Sequence, residues 1–278
     1  MLLIAGPTAS GKSALALRLA RGRNGVIINA DALQVYDALR ILSARPATDE
    51  EALAPHRLYG HVPAREAHSV AAWLEDARRE IGAAWEAGRL PVVTGGTGLY
   101  FRALERGLAP VPPIPADIRS AWREFEGDLH GELGRRDPAM AERLQPGDRQ
   151  RLVRALEVID ATGRSLGDWQ RQGEAEAPLA GAAVERIFLD PPRAELHARA
   201  AARFRAMVEQ GALEEAEAVK DLDPALPVMK AIGLRELNAH LRGEISLADA
   251  IARAETATRR YIKRQLTWWR GQMAHWRE

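Results

Sequence analysis

The residues with the clearest chemistry lie near the start of the chain, in the stretch Gly6-Pro7-Thr8-Ala9-Ser10-Gly11-Lys12-Ser13. An apolar run precedes it and an apolar, helix-forming run follows it, which predicts a phosphate-binding loop between a strand and a helix. In such a loop the glycines let backbone N–H groups point at phosphate oxygens, and the helix adds the positive end of its dipole. Lys12 offers a charge for the terminal phosphate, and Ser13 offers a hydroxyl that suits a phosphate-bound Mg²⁺. The loop alone leaves open whether the bound molecule donates a phosphoryl group or loses a diphosphate.

A carboxylate, Asp31, follows the short apolar strand predicted at 26–28. In a doubly wound sheet the carboxyl ends of the strands meet at the ligand crevice, so Asp31 is expected near the phosphate-binding loop. There it is a candidate general base. The stretch 31–34 also fits a capping box, with Asp31 as the N-cap and Gln34 reaching back. We favour the general base over the helix cap. A carboxylate close to a bound phosphate is electrostatically unfavourable, and a residue that only caps a helix would not need to lie there.

Another strand, predicted at 90–94, delivers Gly95-Gly96-Thr97-Gly98 to the same crevice. Glycines allow a ligand or another backbone to come close, and Thr97 offers a hydroxyl. A simple turn before a helix at 99–105 is the alternative interpretation.

Length and composition limit the function classes. The 278 residues are 46% hydrophobic, which predicts a sizeable core, and no apolar run is long enough to span a membrane. The chain has no cysteine, which excludes a disulfide scaffold and thiolate metal sites and is typical of a cytoplasmic protein. Because the net charge is only +1, any binding of nucleic acid must come from local basic patches.

The order of the predicted elements indicates an α/β fold with an insertion. A proline cluster at 110–115 marks a change, and helices are predicted at 118–129, 137–144 and 148–162, with a turn near Gly134. A linker at 174–182 leads to a strand at 184–189 and a long helix at 193–209. We therefore expect a P-loop NTPase-like parallel sheet core flanked by helices, at 1–115 and 177–278, with a helical insertion domain at 116–176.

Two regions are basic. Arg149, Arg151 and Arg154 lie at helical spacing in the insertion, although such clusters are usually solvated helix faces. Between 253 and 278, seven basic residues alternate with tyrosine and tryptophan. That composition suits a polyanion with bases that stack, but it equally suits an amphipathic helix whose tryptophans pack on the core. The sequence leaves the two interpretations even.

Six stretches, taken together and in order, resemble the tRNA dimethylallyltransferases: 6–13, 31–36, 95–100, 148–157, 203–211 and 259–268. The resemblance extends over nearly the whole chain. It implies transfer of a dimethylallyl group from dimethylallyl diphosphate to N6 of the adenosine on the 3′ side of the anticodon in tRNA. One stretch departs from the family pattern, since 42–46 reads Leu-Ser-Ala-Arg-Pro where members often carry Gly-Thr before Ala-Lys-Pro.

The resemblance also implies roles for individual residues. Asp31 resembles the general base toward the adenine amine, Arg203 the arginine that binds diphosphate, and Thr97 a hydroxyl near the reacting centre. The phosphate-binding loop then holds the leaving diphosphate with Mg²⁺, for which Ser13 is a ligand. The positions implied to contact tRNA are Asp31, Ala32, Leu33, Gln34, Thr97, Arg119, Gln150, Arg151, Leu152, Val153, Arg154, Lys230 and Arg235. Because the target adenine must be flipped out of its stack, a channel in the core is implied. Separately, we expect the protein to be a monomer.

Two other functions compete with this interpretation. A small-molecule kinase of the P-loop class would use Asp31 to activate an acceptor hydroxyl for phosphoryl transfer from ATP. It would not need basic residues that recur in the insertion and near the C-terminus. A nucleotide-regulated RNA-binding protein without transfer chemistry would leave Asp31 without a role.

Overall fold

The computed structural model describes residues 1–173 and 177–277, in two compact units. Met1–Arg102 and Gly181–Glu278 form the sheet unit, and Ala103–Ala180 forms the helical unit. The predicted insertion began at 116 and ended at 176, whereas the contacts also place 103–115 and 177–180 in the helical unit. Residues 174–176 of the predicted linker lie outside the described residues.

A five-stranded sheet forms the centre of the sheet unit. Its strands are β1 (Leu2–Ala5), β2 (Gly25–Asn29), β3 (His56–Arg57), β4 (Leu90–Gly95) and β5 (Glu185–Phe188). The spatial order is β3-β2-β4-β1-β5, and every pairing is parallel. Strands β1 and β2 are buried along their whole length, as expected where helices cover both faces of a parallel sheet. The predicted α/β fold with a parallel sheet is confirmed.

Thirteen α-helices occur in the described residues. In chain order they are α1 (Lys12–Gly22), α2 (Thr48–Leu53), α3 (Val70–Glu86), α4 (Gly98–Arg106), α5 (Ala116–Glu124), α6 (Leu129–Arg136), α7 (Pro138–Arg143), α8 (Arg149–Thr162), α9 (Leu166–Gly173), α10 (Arg193–Glu209), α11 (Ala212–Val219), α12 (Leu234–Leu241) and α13 (Leu247–Gln272). No helix among residues 1–173 and 177–277 is both long enough and apolar enough to cross a membrane.

Two local predictions were wrong. The helix expected at 118–129 ends at Glu124, and a separate helix, α6, begins at Leu129, where Asp128 is the N-cap and accepts a hydrogen bond from the N–H of Gly131. Gly134 lies inside α6, where no turn forms. The strand β3 was not predicted, since two residues are too few to show the alternation that indicates a strand.

The C-terminal helix shows which of its aromatic residues pack on the core and which side chains are left for a partner. Trp269 and Trp276 are buried, and both pack against Phe101, with ring centroids 5.6 and 5.2 Å apart. The basic side chains of this region that the structure describes are exposed: Arg253, Arg259, Arg260, Lys263, Arg264 and Arg270. Trp269 and Trp276 therefore belong to the core, whereas Tyr261 and Trp268 are only partly buried and, with the basic residues, remain available to a partner.

The close approach of two strand ends at Gly95 gives a test of the fold. A Cβ atom there would lie 2.1 Å from the carbonyl carbon and oxygen of Ala30. Because backbone cannot move aside easily, we expect Gly95→Ala to destabilise the protein by about 1–3 kcal/mol or more. Thermal unfolding measures the change.

Gly82→Ala is the matched control. Gly82 lies inside α3, and a Cβ atom added to it would have nothing within 4 Å, so the same substitution removes only the flexibility of glycine. It should leave stability unchanged or raise it by up to about 1 kcal/mol. Equal unfolding temperatures for the two variants would contradict the packing at Gly95.

Candidate active site

The phosphate-binding loop connects β1 to α1. Ala9 and Gly11 have positive φ angles of 63° and 88°, so the backbone curls as such a loop requires. Helix α1 begins at Lys12 without a side-chain cap and without an acidic residue in its first turn. The N–H groups of that turn have no acceptor within the helix. They are available to an anion, and the helix dipole favours negative charge there.

Gln265 of α13 connects the phosphate-binding loop to the loop after β4. Its Oε1 accepts a hydrogen bond from the N–H of Thr8, and its Nε2 donates to the carbonyl of Gly96, both at 2.9 Å. The residue is only 7% exposed, so these bonds are shielded from water. Gln265 was not predicted from the sequence. The available signal was a polar residue on the apolar face of α13 that also carries Ile262 and Trp269.

Asp31 lies directly after β2, where its backbone is fixed. Its N–H donates to Asn29 Oδ1 at 2.9 Å, and its Oδ1 accepts from the N–H of Leu33 at 3.0 Å. No helix follows, and Gln34 Nε2 donates to the carbonyls of residues 43 and 44 and does not reach back. The capping-box alternative is therefore wrong. Within the described residues, Asp31 Oδ2 accepts no hydrogen bond and remains available to a substrate.

Two further side chains hold this segment in place. Thr97 Oγ1 accepts from the N–H of Ala32 at 3.0 Å, and the N–H of Thr97 donates to the carbonyl of Ala30 at 3.2 Å. Asn29 is fully buried, and its Nδ2 donates to the carbonyls of Asp31 and Leu58 at 3.0 Å. Asn29 was not predicted from the sequence, although asparagine at the end of a buried strand is unusual enough to signal a polar network.

Two cations approach the single carboxylate. Lys12 Nζ donates to the carbonyl of Pro7 at 3.3 Å, and burial lowers the pKa of Lys12 to about 8, an effect that the charge of Asp31 opposes. Arg203 of α10 donates to Thr8 Oγ1. Burial also lowers the pKa of Arg203, again against the effect of Asp31. The structure thus brings together the loop, Asp31 and Arg203, with an excess of positive charge that suits an anion.

A pocket opens beside these groups and has one apolar wall. Thr8, Asp31, Ser43, Arg203 and Thr258 supply its polar lining. The remaining lining residues are Leu33, Leu42, Ala200, Phe204, Met207, Ile232 and Tyr261. This wall was not predicted from the sequence. The available signal was that Ala200, Arg203, Phe204 and Met207 share one face of a helix at three- and four-residue spacing.

The divergent segment 42–46 is held by internal contacts. The N–H groups of Ile41 and Leu42 donate to the carboxylate of Glu215 at 2.7 and 2.9 Å. Arg45 Nη1 donates to the carbonyls of Tyr36 and Asp37 at 3.1 Å. The segment therefore contributes Leu42 and Ser43 to the pocket wall without supplying a charged group to it.

The hydroxyl groups near Ser13 fit a magnesium ion. Ser13 and Thr94 line the same small cavity, which Glu50 also borders. Thr94 Oγ1 is buried and has no hydrogen-bond partner among the described residues. Hard oxygen donors are the ligands that Mg²⁺ prefers, so Ser13 and Thr94 offer a suitable donor set.

The residues implied to contact tRNA differ in exposure. Leu152 is 1% and Val153 is 9% exposed and both pack in the core of the helical unit, so their side chains contribute little surface to a partner, and their contact with tRNA stays a prediction. Several others have exposed side chains: Arg119, Gln150, Arg151, Arg154, Lys230 and Arg235. Arg151 and Arg154 each form a 3.4 Å ion pair on α8, with Asp148 and Glu157.

The lowered pKa of Lys12 predicts a pH dependence for anion binding. Below about pH 8 the free protein carries the ammonium that attracts diphosphate, and above it the ammonium is lost. The affinity for inorganic diphosphate should therefore fall as the pH rises from about 7 to about 9, a range that isothermal titration covers.

Lys12→Met separates this effect from the titration of diphosphate itself. The variant should bind more weakly at neutral pH and should lack the part of the pH dependence that belongs to Lys12. If the wild type and Lys12→Met show parallel pH profiles, Lys12 does not supply the charge that binds the anion.

Comparisons with known proteins agree with this geometry. A family model described as IPP transferase matches residues 34–272. The chain is 54% identical to a tRNA dimethylallyltransferase of Methylobacterium nodulans, over 99% of this chain and 93% of the relative. It is 53% identical to the enzyme of the same name from Rhodospirillum centenum, over 99% of this chain and 89% of the relative.

Two solved structures are similar over most of the chain. A eukaryotic dimethylallyltransferase acting on tRNA superposes with a TM-score of 0.84 at 26% identity, over 97% of this chain and 69% of that one. A tRNA isopentenylpyrophosphate transferase from Bacillus halodurans has a TM-score of 0.70 at 33% identity, over 98% and 86%. With the family model and the close relatives in agreement, the chain belongs to the IPP transferase family.

Proposed function

We propose that this protein transfers a dimethylallyl group from dimethylallyl diphosphate to N6 of the adenosine on the 3′ side of the tRNA anticodon, releasing diphosphate. The observation that carries the proposal is the pocket in which an apolar wall adjoins Asp31, Arg203 and the phosphate-binding loop. That wall suits the branched hydrocarbon chain of the donor. The relatives named above support the same activity.

The two ends of the donor match the two sides of the pocket. The diphosphate end binds the N–H groups of the phosphate-binding loop, with Lys12 and Arg203 as its cations. The branched five-carbon chain packs against apolar side chains that include Leu42, Phe204 and Met207. The donor is thereby oriented with its reactive carbon near Asp31.

The transfer is a displacement at carbon. N6 of the adenine attacks the first carbon of the dimethylallyl chain, the bond from that carbon to the diphosphate oxygen breaks, and the N6 proton passes to Asp31 Oδ2. Negative charge grows on the leaving diphosphate, where Lys12, Arg203 and the loop N–H groups stabilise it. Thr97 positions Asp31 through its bond to the N–H of Ala32. Its own hydroxyl proton has no acceptor among the residues that the structure describes and can contact the adenine.

Magnesium is the proposed cofactor, held by Ser13 and Thr94 together with the diphosphate. When bound, the ion neutralises part of the diphosphate charge and makes it a better leaving group.

The exposed basic residues are the proposed tRNA contacts. Arg119, Arg151 and Arg154 lie in the helical unit, and Lys230 and Arg235 lie in the sheet unit. Phosphate contacts of this kind position the RNA and give binding its salt dependence. Action as a monomer in the cytoplasm, where tRNA is processed and used, remains a prediction.

Incubation with Mg²⁺, labelled dimethylallyl diphosphate and unmodified tRNA tests the proposal. Label should appear on the adenosine next to the anticodon, with release of one diphosphate for each transfer. A parallel reaction with γ-labelled ATP and small-molecule acceptors tests the kinase. Label that stays off the tRNA while the γ-phosphate of ATP is transferred would establish the kinase instead.

Asp31→Asn tests the general base. The amide oxygen can still accept from the N–H of Leu33, so the segment should keep its shape, but the amide cannot take a proton. We expect single-turnover transfer to slow by about 10²–10⁴-fold, with the affinity for tRNA nearly unchanged. Asp221→Asn, at an exposed carboxylate in the same unit, controls for the loss of charge. A normal rate in Asp31→Asn would remove Asp31 from the mechanism.

The double variant Arg151→Ala/Arg154→Ala tests the RNA surface of α8. If both arginines contact phosphates, tRNA should bind more weakly, and the slope of log affinity against log salt should become shallower by about 1 for each lost contact. Filter binding at several salt concentrations gives that slope.

Arg135→Ala/Arg171→Ala is the matched control in the same unit. Both arginines are exposed, and each forms an ion pair three residues away on its helix, as Arg151 and Arg154 do. This control should bind tRNA as the wild type does. If the slope of log affinity against log salt changes equally in the two double variants, the α8 arginines form only a solvated helix face.

A further inference from the structure

A cluster of three metal-ligating side chains in the sheet unit takes no part in the site described above. His61 and His68 belong to the loop before α3, and Asp76 belongs to α3 itself. One ligand atom from each residue lies within 4.8 Å of the other two. The loop and the helix therefore bring together, from two chain segments, the donor types that bind transition metals.

Two distances within the cluster, each from a histidine nitrogen to Asp76, match the spacing of ligands around a shared ion. Nε2 of His61 lies 3.5 Å from Asp76 Oδ2, and Nε2 of His68 lies 3.6 Å from the same oxygen. These separations are longer than usual hydrogen bonds, which measure about 2.7–3.2 Å. They are close to the edge of a tetrahedron with metal–ligand bonds of about 2.0–2.1 Å, which is about 3.3 Å. Both imidazoles direct the same nitrogen toward one carboxylate oxygen.

His68 provides a second, independent indication of a ligand. Its side chain is 10% exposed, and its Nε2 is buried without a hydrogen-bond partner among the described residues. Leaving a buried polar atom unpaired is unfavourable, and such atoms in a native protein usually have an ion or water as a partner.

We propose that His61, His68 and Asp76 form a binding site for one divalent transition-metal ion, with Zn²⁺ as the best fit. Two imidazole nitrogens and a carboxylate oxygen are a donor set typical of Zn²⁺, and a water completes the tetrahedron. Mg²⁺ prefers oxygen donors and an octahedral shell, so the ion proposed for the reaction does not compete well here.

The cations near the cluster leave the ligand atoms accessible. Arg79 Nη2 contacts Asp76 at 2.7 Å, but through Oδ1, so Oδ2 stays free for the metal. The Arg79 side chain is 63% exposed, which screens its charge, and its contact fixes the orientation of the carboxylate.

The site would act as a structural connection between the loop and α3. The N–H of His68 donates to the hydroxyl of Tyr36 at 3.3 Å, and Trp73 Nε1 of α3 donates to the carbonyl of Asn29 at 2.8 Å. A metal that joins the loop to α3 therefore stabilises the packing of the loop and α3 against the segment that contains Asn29 and Tyr36. Its effect should appear first in stability.

The test uses the full chain, free of any histidine tag and treated with chelator, in buffer with excess Mg²⁺. Titration with ZnCl₂ should show one Zn²⁺ bound per chain with micromolar or tighter affinity. The unfolding temperature should rise by several degrees, because the ion binds the folded state. Co²⁺ in place of Zn²⁺ should give the intense visible absorption of a tetrahedral site.

Single variants locate the ion. His61→Gln and His68→Gln should each weaken Zn²⁺ binding by more than about tenfold and abolish the rise in unfolding temperature. His197→Gln, at a partly exposed histidine of α10, should bind like the wild type. Asp76→Asn serves where a histidine variant fails to fold. Absence of saturable one-to-one binding, or equal affinity in His68→Gln and His197→Gln, would overturn the proposal.

Discussion

Two partly buried cations lie near one carboxylate in the sheet unit. Lys12 and Arg203 both interact with Asp31, and burial lowers the pKa of each cation. Because positive charge without a full complement of negative charge is unfavourable away from water, the site is stabilised by an anion. The N-terminus of α1, which has no side-chain cap, also favours a bound anion. A diphosphate, rather than a side chain, supplies the missing charge in the proposed reaction.

The rest of the sheet unit fixes the positions of these charges. The ends of β1, β2 and β4 come together at one edge of the parallel sheet, as their order requires. Gln265 then joins the loops that follow β1 and β4, while Thr97 joins the loops that follow β4 and β2. Each of these bonds connects segments that are distant in sequence. Reacting groups held by such a network keep their geometry while the charge moves, which lowers the barrier to reaction.

The features that could be predicted from the sequence are those that depend on residues close together in the chain or on the order of the strands. The phosphate-binding loop has its own motif, and the position of Asp31 follows from the topology of a parallel sheet. The capping box predicted at 31–34 does not form. Gln34 donates instead to carbonyls of the following loop, a contact that the local sequence pattern does not reveal. Gln265 and the apolar wall around Phe204 depend on which helix packs over the pocket, and no local pattern specifies that packing. Composition likewise could not reveal that Trp269 faces the core.

A crystal structure of the protein with Mg²⁺ and diphosphate tests the central claim most directly. We expect the diphosphate to lie at the N-terminus of α1, with Arg203 in contact and with Lys12 Nζ moved from the carbonyl of Pro7 to a phosphate oxygen. Asp31 should remain free of the anion and face the apolar side of the pocket. Diphosphate bound elsewhere, or bound while Lys12 keeps its contact with Pro7 and Arg203 makes none with the anion, would contradict the proposed mechanism.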